Sequence, residues 1–402
     1  MAELSHPGQA RRSILGLAAA ALFAVALGGC QLVPGPRADR GPVPEPVEEV
    51  AEAEVEPARP GFPAGETRNR VAVLVPLTGA NAGVGTSIAN AANLAITDTG
   101  GDRIRITVYD TARTGGAAAA ANQALAEGNG LILGPLLAED VRGVAPIARR
   151  AEVPVIAFSN DVSVAGEGVY LMGFTPGQSI ARVVSHARGE GLARFAGIAP
   201  EGVYGRRASE ALTQAVGDAD ARLVGVQSFT GGAAGLRAAL TRLNAAGRYE
   251  AILIGDSGRI AAAAAPMVRS GPGAGARILG TELWASENNL GRTAALRGAW
   301  YASVSDGMFD QLRSRYRTRF GANPYRLASL GYDAVLLAVR IAKDWRIGRN
   351  FPEGQLRDPT GFAGVDGAFR FGPDGIAERS LEVREITAAG TSVVSPAPRG
   401  FD

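Results

Sequence analysis

The sequence has few of the side chains on which many enzymes and metal sites depend. Among 402 residues there are one cysteine, Cys30, and two histidines, His6 and His186. A single cysteine excludes an intrachain disulfide and a Cys-x-x-Cys metal or redox site. Two histidines exclude a histidine-rich metal site, and a serine hydrolase triad would have to use His186.

An excess of charge of either sign is also absent. Lysine and arginine number 41 and aspartate and glutamate 39, which gives a net charge of +2. This balance gives no reason to expect nucleic acid as a partner. Apolar residues make up 46% of the chain and charged residues 20%, which is typical of a globular protein with a large core.

Motifs for nucleotide binding and for hydrolysis are incomplete. The Gly-Val-Gly segment at 83–85 suggests a dinucleotide site, but Ile88 stands where the third glycine or an alanine is needed. The glycine cluster at 271–275 has no lysine after it, so it does not form a phosphate-binding loop. Ser159 lacks the Gly-x-Ser-x-Gly context of a nucleophile, and His186 falls within a predicted helix. We therefore expect a protein that is not an enzyme and has no cofactor and no metal.

The N-terminus is typical of an export signal, predicted to span residues 1–29. Two arginines precede an apolar run of 14 residues, 14–27, which is short of the roughly 20 residues of a membrane-spanning helix. A true membrane anchor remains the alternative. The Leu-Gly-Gly-Cys segment that ends at Cys30 resembles the lipobox of bacterial lipoproteins. The resemblance implies that Cys30 is acylated and that the lipid alone attaches the chain to a membrane, with Gln31 favouring the outer membrane.

Residues 30–68 are predicted to form a tether behind the lipidated cysteine. Eight of the 23 prolines lie in 31–68, together with eight acidic and four basic side chains. Such a segment cannot bury a core and is expected to stay extended. At ~3.1 Å per residue in a polyproline conformation, its reach is on the order of 100 Å.

From residue 69 to residue 390, short apolar strands alternate with helical segments. This alternation predicts an α/β fold with parallel sheets flanked by helices. About ten strand-helix units are too many for one sheet, so we expect two Rossmann-like lobes. The predicted boundaries are about 69–180 and 300–345 for lobe 1, about 181–299 and 346–390 for lobe 2, and 391–402 for a C-terminal tail.

Loops at the carboxyl ends of predicted strands hold the candidate binding residues. Ligands bind at these ends in doubly wound sheets. The candidates are Gly134, Pro135, Leu137, Ser159, Asn160, Asp161, Tyr204 and Glu282. Each also has a purely structural interpretation: Gly-Pro as a turn, Ser-Asn-Asp as a helix cap and Tyr204 as a packing residue.

Over residues 70 to about 388 the chain resembles the type I periplasmic binding proteins of the leucine-binding kind. The segments that carry the resemblance are 73–79 (VLVPLTG), 154–157 (PVIA), 204–205 (YG), 331–335 (GYDAV) and 371–375 (FGPDG). It implies two lobes that hinge around a small solute and a chain that crosses between them three times. It also implies that Tyr204 covers the ligand and that Glu282 binds its ammonium group.

The side of the site that would hold an amino-acid carboxylate departs from that family. Leu137 and Ala138 occupy positions where the amino-acid binders have serines. Asp161 stands near the position of a threonine, which would set a negative charge beside the carboxylate. The resemblance therefore implies a pocket for something other than a plain α-amino acid, or for nothing.

A second resemblance is to the penicillin-binding-protein activator lipoproteins. It is carried by 134–137 (GPLL), 174–176 (FTP) and Pro200 followed by 205–207 (GRR). It implies a lipid-anchored regulator in the periplasm whose partner is a peptidoglycan synthase, and this is our first hypothesis. The alternative is the substrate-binding lipoprotein of an ABC importer, whose partners are the importer permease and an amino acid or related small solute.

Overall fold

A computed structural model describes residues 58–287 and 289–401. The predicted signal peptide, Cys30 and the tether as far as residue 57 lie outside the described residues. None of the helices in the described part of the chain is both long and apolar enough to cross a membrane.

The elements follow one another in the alternating order that the sequence predicts. The strands of the described residues are β1 Asn69–Val75, β2 Ile104–Asp110, β3 Leu131–Leu133, β4 Val155–Ala157, β5 Val169–Leu171, β6 Arg194–Pro200, β7 Arg222–Phe229, β8 Ala251–Ile254, β9 Arg277–Gly280, β10 Trp300–Ser303, β11 Phe362–Gly364, β12 Gly367–Phe371, β13 Ala377–Arg379, β14 Glu382–Thr387 and β15 Gly390–Ser395. The α-helices are α1 Ala82–Thr99, α2 Gly116–Ala126, α3 Ala138–Arg150, α4 Pro176–Gly189, α5 Val203–Asp218, α6 Gly232–Ala246, α7 Gly258–Arg269, α8 Gly307–Phe320 and α9 Ala328–Ile341.

A five-stranded parallel sheet, in the order β2-β1-β3-β4-β5, forms the centre of the first lobe. Alternate residues of β1 enter two separate cores. Val71, Val73 and Val75 pack with α1 and α9, whereas Ala72 and Leu74 pack with α2 and α3. Because helices cover both faces, β1 is a continuous apolar run and not an alternating one.

The second lobe is built in the same way around a seven-stranded sheet of order β15-β14-β10-β9-β8-β6-β7. Strands β6 to β10 are parallel, and β14 and β15 add an antiparallel edge. Ile252 and Ile254 of β8 pack with α6 and α7, and Ala251 and Leu253 pack with α4 and α5. The predicted fold class, two Rossmann-like lobes with parallel sheets between helices, is confirmed.

The chain passes between the lobes three times. The connections lie between β5 and α4, between β10 and α8, and between β13 and β14. A small antiparallel sheet, β11-β12-β13, contributes Phe362, Phe369 and Phe371 to the core of the first lobe. Residues of all three connections, among them Thr175, Val304 and Leu381, line one cavity, and we call this part of the molecule the hinge region.

The structure divides the chain differently from the predicted boundaries. Strand β10 and the first residues of helix α4, predicted in lobe 1, belong to the second lobe, because β10 pairs with β9 and β14 and α4 packs against the same sheet. Residues 346–379, predicted in lobe 2, pack with the first lobe through the phenylalanines of the small sheet. Residues 391–395 of the predicted tail lie in strand β15, which pairs with β14.

The last part of the predicted tether is also placed differently, since residues 58–68 pack on the first lobe. The backbone N–H of Arg59 donates to the carbonyl of Gly348 at 2.9 Å. Glu66 lies within 3.8 Å of Arg70 and 3.6 Å of Arg105. The expectation of an extended segment is therefore wrong for these residues, because the bonds fix them to the domain.

Candidate functional site

Loops that follow β3, β4 and β9 line a cavity of about 460 Å³ between the two lobes, which we call the cleft. Its apolar walls include Val84, Leu136, Leu137, Phe158, Leu283 and Leu327. Its polar groups include Asn81, Asn160, Glu282 and Arg326. A concave site with apolar walls and a few polar groups is suited to a small organic ligand.

Gly134 and Pro135 are buried beneath the first-lobe wall of the cleft and fix the loop that forms it. Gly134 has a φ of +95°, and a Cβ atom there would lie 2.1 Å from the carbonyl oxygen of Leu74. The carbonyl of Pro135 accepts a hydrogen bond from the Phe158 N–H at 2.9 Å, which ties the loop after β3 to the loop after β4. Both residues are buried, and the loop brings Leu137 to the cleft.

Of the Ser-Asn-Asp segment after β4, Asn160 lines the cleft. Ser159 is buried, and its Oγ accepts a hydrogen bond from the Asp161 N–H at 3.1 Å. Asp161 accepts a hydrogen bond from Arg142 at 2.8 Å and lies 3.9 Å from Arg207 of the second lobe. Asp161 is thus held by two arginines.

The electrostatics of Asp161 follow from these contacts. Burial alone would raise the pKa of Asp161, but hydrogen bonds from Ser163 and Arg142 hold the pKa below its ordinary value. The sequence led us to expect that Asp161 would repel a ligand carboxylate. The structure removes the reason for this expectation, because the Asp161 carboxylate is paired with arginines of the protein.

Tyr204 and Glu282 meet on the second-lobe side. The Tyr204 hydroxyl lies 3.0 Å from Thr281 Oγ1 and 3.2 Å from Glu282 Oε1. Ser179 Oγ donates to Glu282 Oε2 at 2.5 Å. Burial raises the pKa of Glu282, and burial followed by the nearby Glu282 charge raises the pKa of Tyr204. Glu282 lines the cleft, and the Tyr204 hydroxyl is engaged by Glu282 and Thr281.

A smaller cavity of about 50 Å³ lies at the hinge and shares Phe174, Glu282, Ala285 and Arg326 with the cleft. We call it the hinge cavity. Arg379, Gln178 and Ser179 also line it. The sequence analysis missed Arg326 and Arg379, because nothing in their local pattern separates them from the many surface arginines.

No group of three or more His, Cys, Asp or Glu side chains within residues 58–287 and 289–401 is placed to hold a metal ion. His186 lies on α4, where its ring packs against Trp300 at 4.7 Å between centroids. Ser159 belongs to the other lobe, at the end of β4. These two candidates for a hydrolase triad therefore lie in different lobes.

The sequence profile of the periplasmic binding proteins matches residues 69–391, and the chain belongs to this family. A curated relative, an uncharacterised protein of Rickettsia prowazekii, is 24% identical over 142 residues, which cover 35% of this chain and 38% of that protein. The chain thus matches well under half of that relative's length.

Solved structures of the same fold include several binding proteins of ABC transporters. A putative branched-chain amino acid ABC transporter protein from Rhodospirillum rubrum is 19% identical, with 81% of this chain and 100% of that chain covered and a TM-score of 0.69. A solute-binding protein from Rhodopseudomonas palustris BisB5, in complex with 3,4-dihydroxybenzoic acid, is 20% identical, with 84% and 98% covered and a TM-score of 0.62. The protein LivJ from Streptococcus pneumoniae, in complex with isoleucine, is 17% identical, with 82% and 100% covered and a TM-score of 0.58. At these identities the likeness shows the leucine-binding type of fold.

Proposed function

We propose that this chain is the solute-binding component of an ABC importer and holds a small carboxylic acid or amino acid between its lobes. The observation that carries the proposal is the cleft of about 460 Å³, whose apolar walls and few polar groups come from both lobes. Neighbours of the same fold hold isoleucine and 3,4-dihydroxybenzoic acid. The proposal makes the chain a binding protein of the periplasm, tethered by a lipid on Cys30.

Regulation of a peptidoglycan synthase, our first hypothesis from the sequence, is the second candidate. The observation that favours it is the first-lobe wall, where Leu137 lines the cleft and, with Ala138, occupies the positions at which amino-acid binders have serines. Family membership and fold support the role of solute-binding component of an importer better than the role of synthase regulator. A regulator of this kind would bind its synthase directly and would not need a solute in the cleft.

Thermal unfolding of the full chain, kept in mild detergent, tests the importer component. The panel is amino acids, aliphatic and aromatic carboxylic acids, small peptides and cell-wall fragments. A solute at a hundred times its dissociation constant stabilises the native state by ~2.7 kcal/mol, so we expect the unfolding temperature to rise by several degrees with one class of solute.

A blocked cleft provides the control. Leu137→Trp places a bulky ring in the cleft and is expected to abolish the temperature shift, whereas Ile347→Trp, at a position 44% exposed on the first lobe, is expected to retain it. A flat response of the wild-type chain, together with capture and stimulation of a peptidoglycan synthase, would contradict the importer component and establish the second candidate.

A further inference from the structure

We propose that the hinge cavity is an anion subsite in which Arg326 and Arg379 bind the carboxylate group of the solute. The inference rests on the proposed function and assigns the subsite that binds the carboxylate of the solute. The solute has an apolar body, which lies in the cleft, and a carboxylate end, which reaches into the hinge cavity.

Arg379 carries the first part of the argument. The residue is 8% exposed, and its Nη2 donates to the carbonyl of Met172 at 2.6 Å. Its Nε and Nη1 are buried and find no hydrogen-bond acceptor among the described residues. A buried charged donor without an acceptor is costly, and a carboxylate offers two oxygens to such a guanidinium. Because Arg379 lines the hinge cavity, that cavity is where an acceptor would bind.

Arg326 stands at the border of the two cavities and lines both. Its Nη1 lies 2.6 Å from Asp366 Oδ1, and its guanidinium carbon lies 4.0 Å from the centre of the Phe309 ring. These contacts fix the side chain in place. Its Nη2 is buried and has no hydrogen-bond partner in the described part of the chain. Arg326 therefore presents a fixed, unused donor at the inner end of the cleft.

The charges around the hinge cavity leave room for an anion. Asp366 is fully buried and pairs with Arg326, and it also attracts the charge of Arg379. Asp333 lies near the same group, but burial and then the Asp366 charge raise its pKa to about 7, so it largely keeps its proton below neutral pH and is about half ionised at pH 7. Asp306 lies 4.0 Å from Arg326 and is itself paired with Arg384. The carboxylate of Asp366 thus faces two guanidinium groups, those of Arg326 and Arg379.

Glu282 also lines the hinge cavity and fits this solute class. Burial raises the pKa of Glu282, and its protonated form does not repel a carboxylate. If the solute carries an amino group as well, ionised Glu282 can accept a hydrogen bond from it. The subsite therefore accommodates both simple carboxylic acids and amino acids, and it binds the corresponding carboxamides more weakly because the amide group carries no charge.

Titration calorimetry on the full chain tests the subsite with matched pairs of probes. The pairs are benzoate and benzamide, 4-methylpentanoate and 4-methylpentanamide, and leucine and leucinamide. Because hydrogen bonds to charged groups are strong, we expect each acid that binds to do so about 10- to 100-fold more tightly than its amide. This comparison uses the wild-type chain and does not depend on the folding of any variant.

Variants then assign the effect to the arginine. Arg326→Gln is expected to weaken binding of the acid at least tenfold and to weaken binding of the amide much less, while Arg326→Lys recovers part of the loss. Arg340→Gln, which removes a guanidinium paired with Asp358 on the surface of the first lobe, is the matched control and should bind like wild type.

Two results would overturn the subsite while the importer component stands. One is equal affinity for an acid and its amide, and the other is an Arg326→Gln variant that binds the acid as tightly as wild type. If neither acids nor amides bind to the wild-type chain, the proposed function itself is contradicted, and the subsite falls with it.

Discussion

The carboxyl group of Asp333 is fully buried in the first lobe, where it accepts hydrogen bonds from the backbone N–H groups of Val365 at 2.7 Å and Asp366 at 3.4 Å. Burial and, second, the Asp366 charge raise its pKa from 3.8 to about 7. An acid with a raised pKa in the folded state stabilises that state below its unfolded pKa, and the contribution is lost as the pH rises through the folded value. We expect Asp333 to lower the free energy of unfolding by roughly 2–4 kcal/mol between about pH 4 and pH 7.

Urea unfolding at several pH values measures this loss. In Asp333→Asn the decline between about pH 4 and pH 7 should be much shallower. Asp358→Asn is the control. Hydrogen bonds from Thr360 lower the pKa of Asp358, so its ionisation changes the free energy of unfolding only below about pH 4. Parallel curves for wild type and Asp333→Asn would show that Asp333 ionises in the folded state as it does in water.

At the scale of elements, helices α1 and α5 begin against the strands that precede them. A Cβ atom on Gly205 of α5 would lie 1.6 Å from the carbonyl oxygen of Pro200, and one on Gly85 of α1 would lie 1.9 Å from that of Pro76. The glycines therefore allow both helices to start close to the end of a strand. In α5 this close approach holds Tyr204, the residue before Gly205, next to Glu282.

Gly205→Ala tests this packing. We expect the free energy of unfolding to fall by about 2–4 kcal/mol, since helix and strand must separate to make room for the methyl group. Gly217→Ala lies in the same helix, where no atom comes within 4 Å of the added Cβ, and should raise stability by roughly 0.5–1 kcal/mol. Urea unfolding of the two variants gives both values, and equal stability of both would contradict the close approach.

The sequence was sufficient to predict the strand-helix order and the class of fold, because long apolar strands and amphipathic helices have strong local patterns. The lobe to which β10 belongs depends on its pairing with β9 and β14, which no local pattern encodes.

The same limit applies to the site. Leu137, Asn160 and Glu282 follow predicted strands, and the structure brings them together in the cleft. The positions of Arg326 and Arg379 depend on how the hinge connections pack, so their place in the hinge cavity could not be predicted from the chain alone.

At the scale of the whole molecule, the lobes are joined by three short connections and enclose the cleft. Because residues of both lobes line the cleft, one solute can contact both lobes at the same time. Such a solute stabilises the conformation in which the two lobes are close together. The free energy of this stabilisation equals the difference between its binding free energies for that conformation and for more open ones. The paired charges of Asp161 and Arg207 lie across the same division between the lobes.

The measurement that tests the central claim most directly is native mass spectrometry of the full chain isolated from the organism that makes it. The account predicts one small carboxylate-bearing molecule bound per chain, absent from the Leu137→Trp variant and present in Ile347→Trp. Wild-type chain without any small molecule, or with one that Leu137→Trp retains equally, would contradict the assignment of the cleft as a solute site.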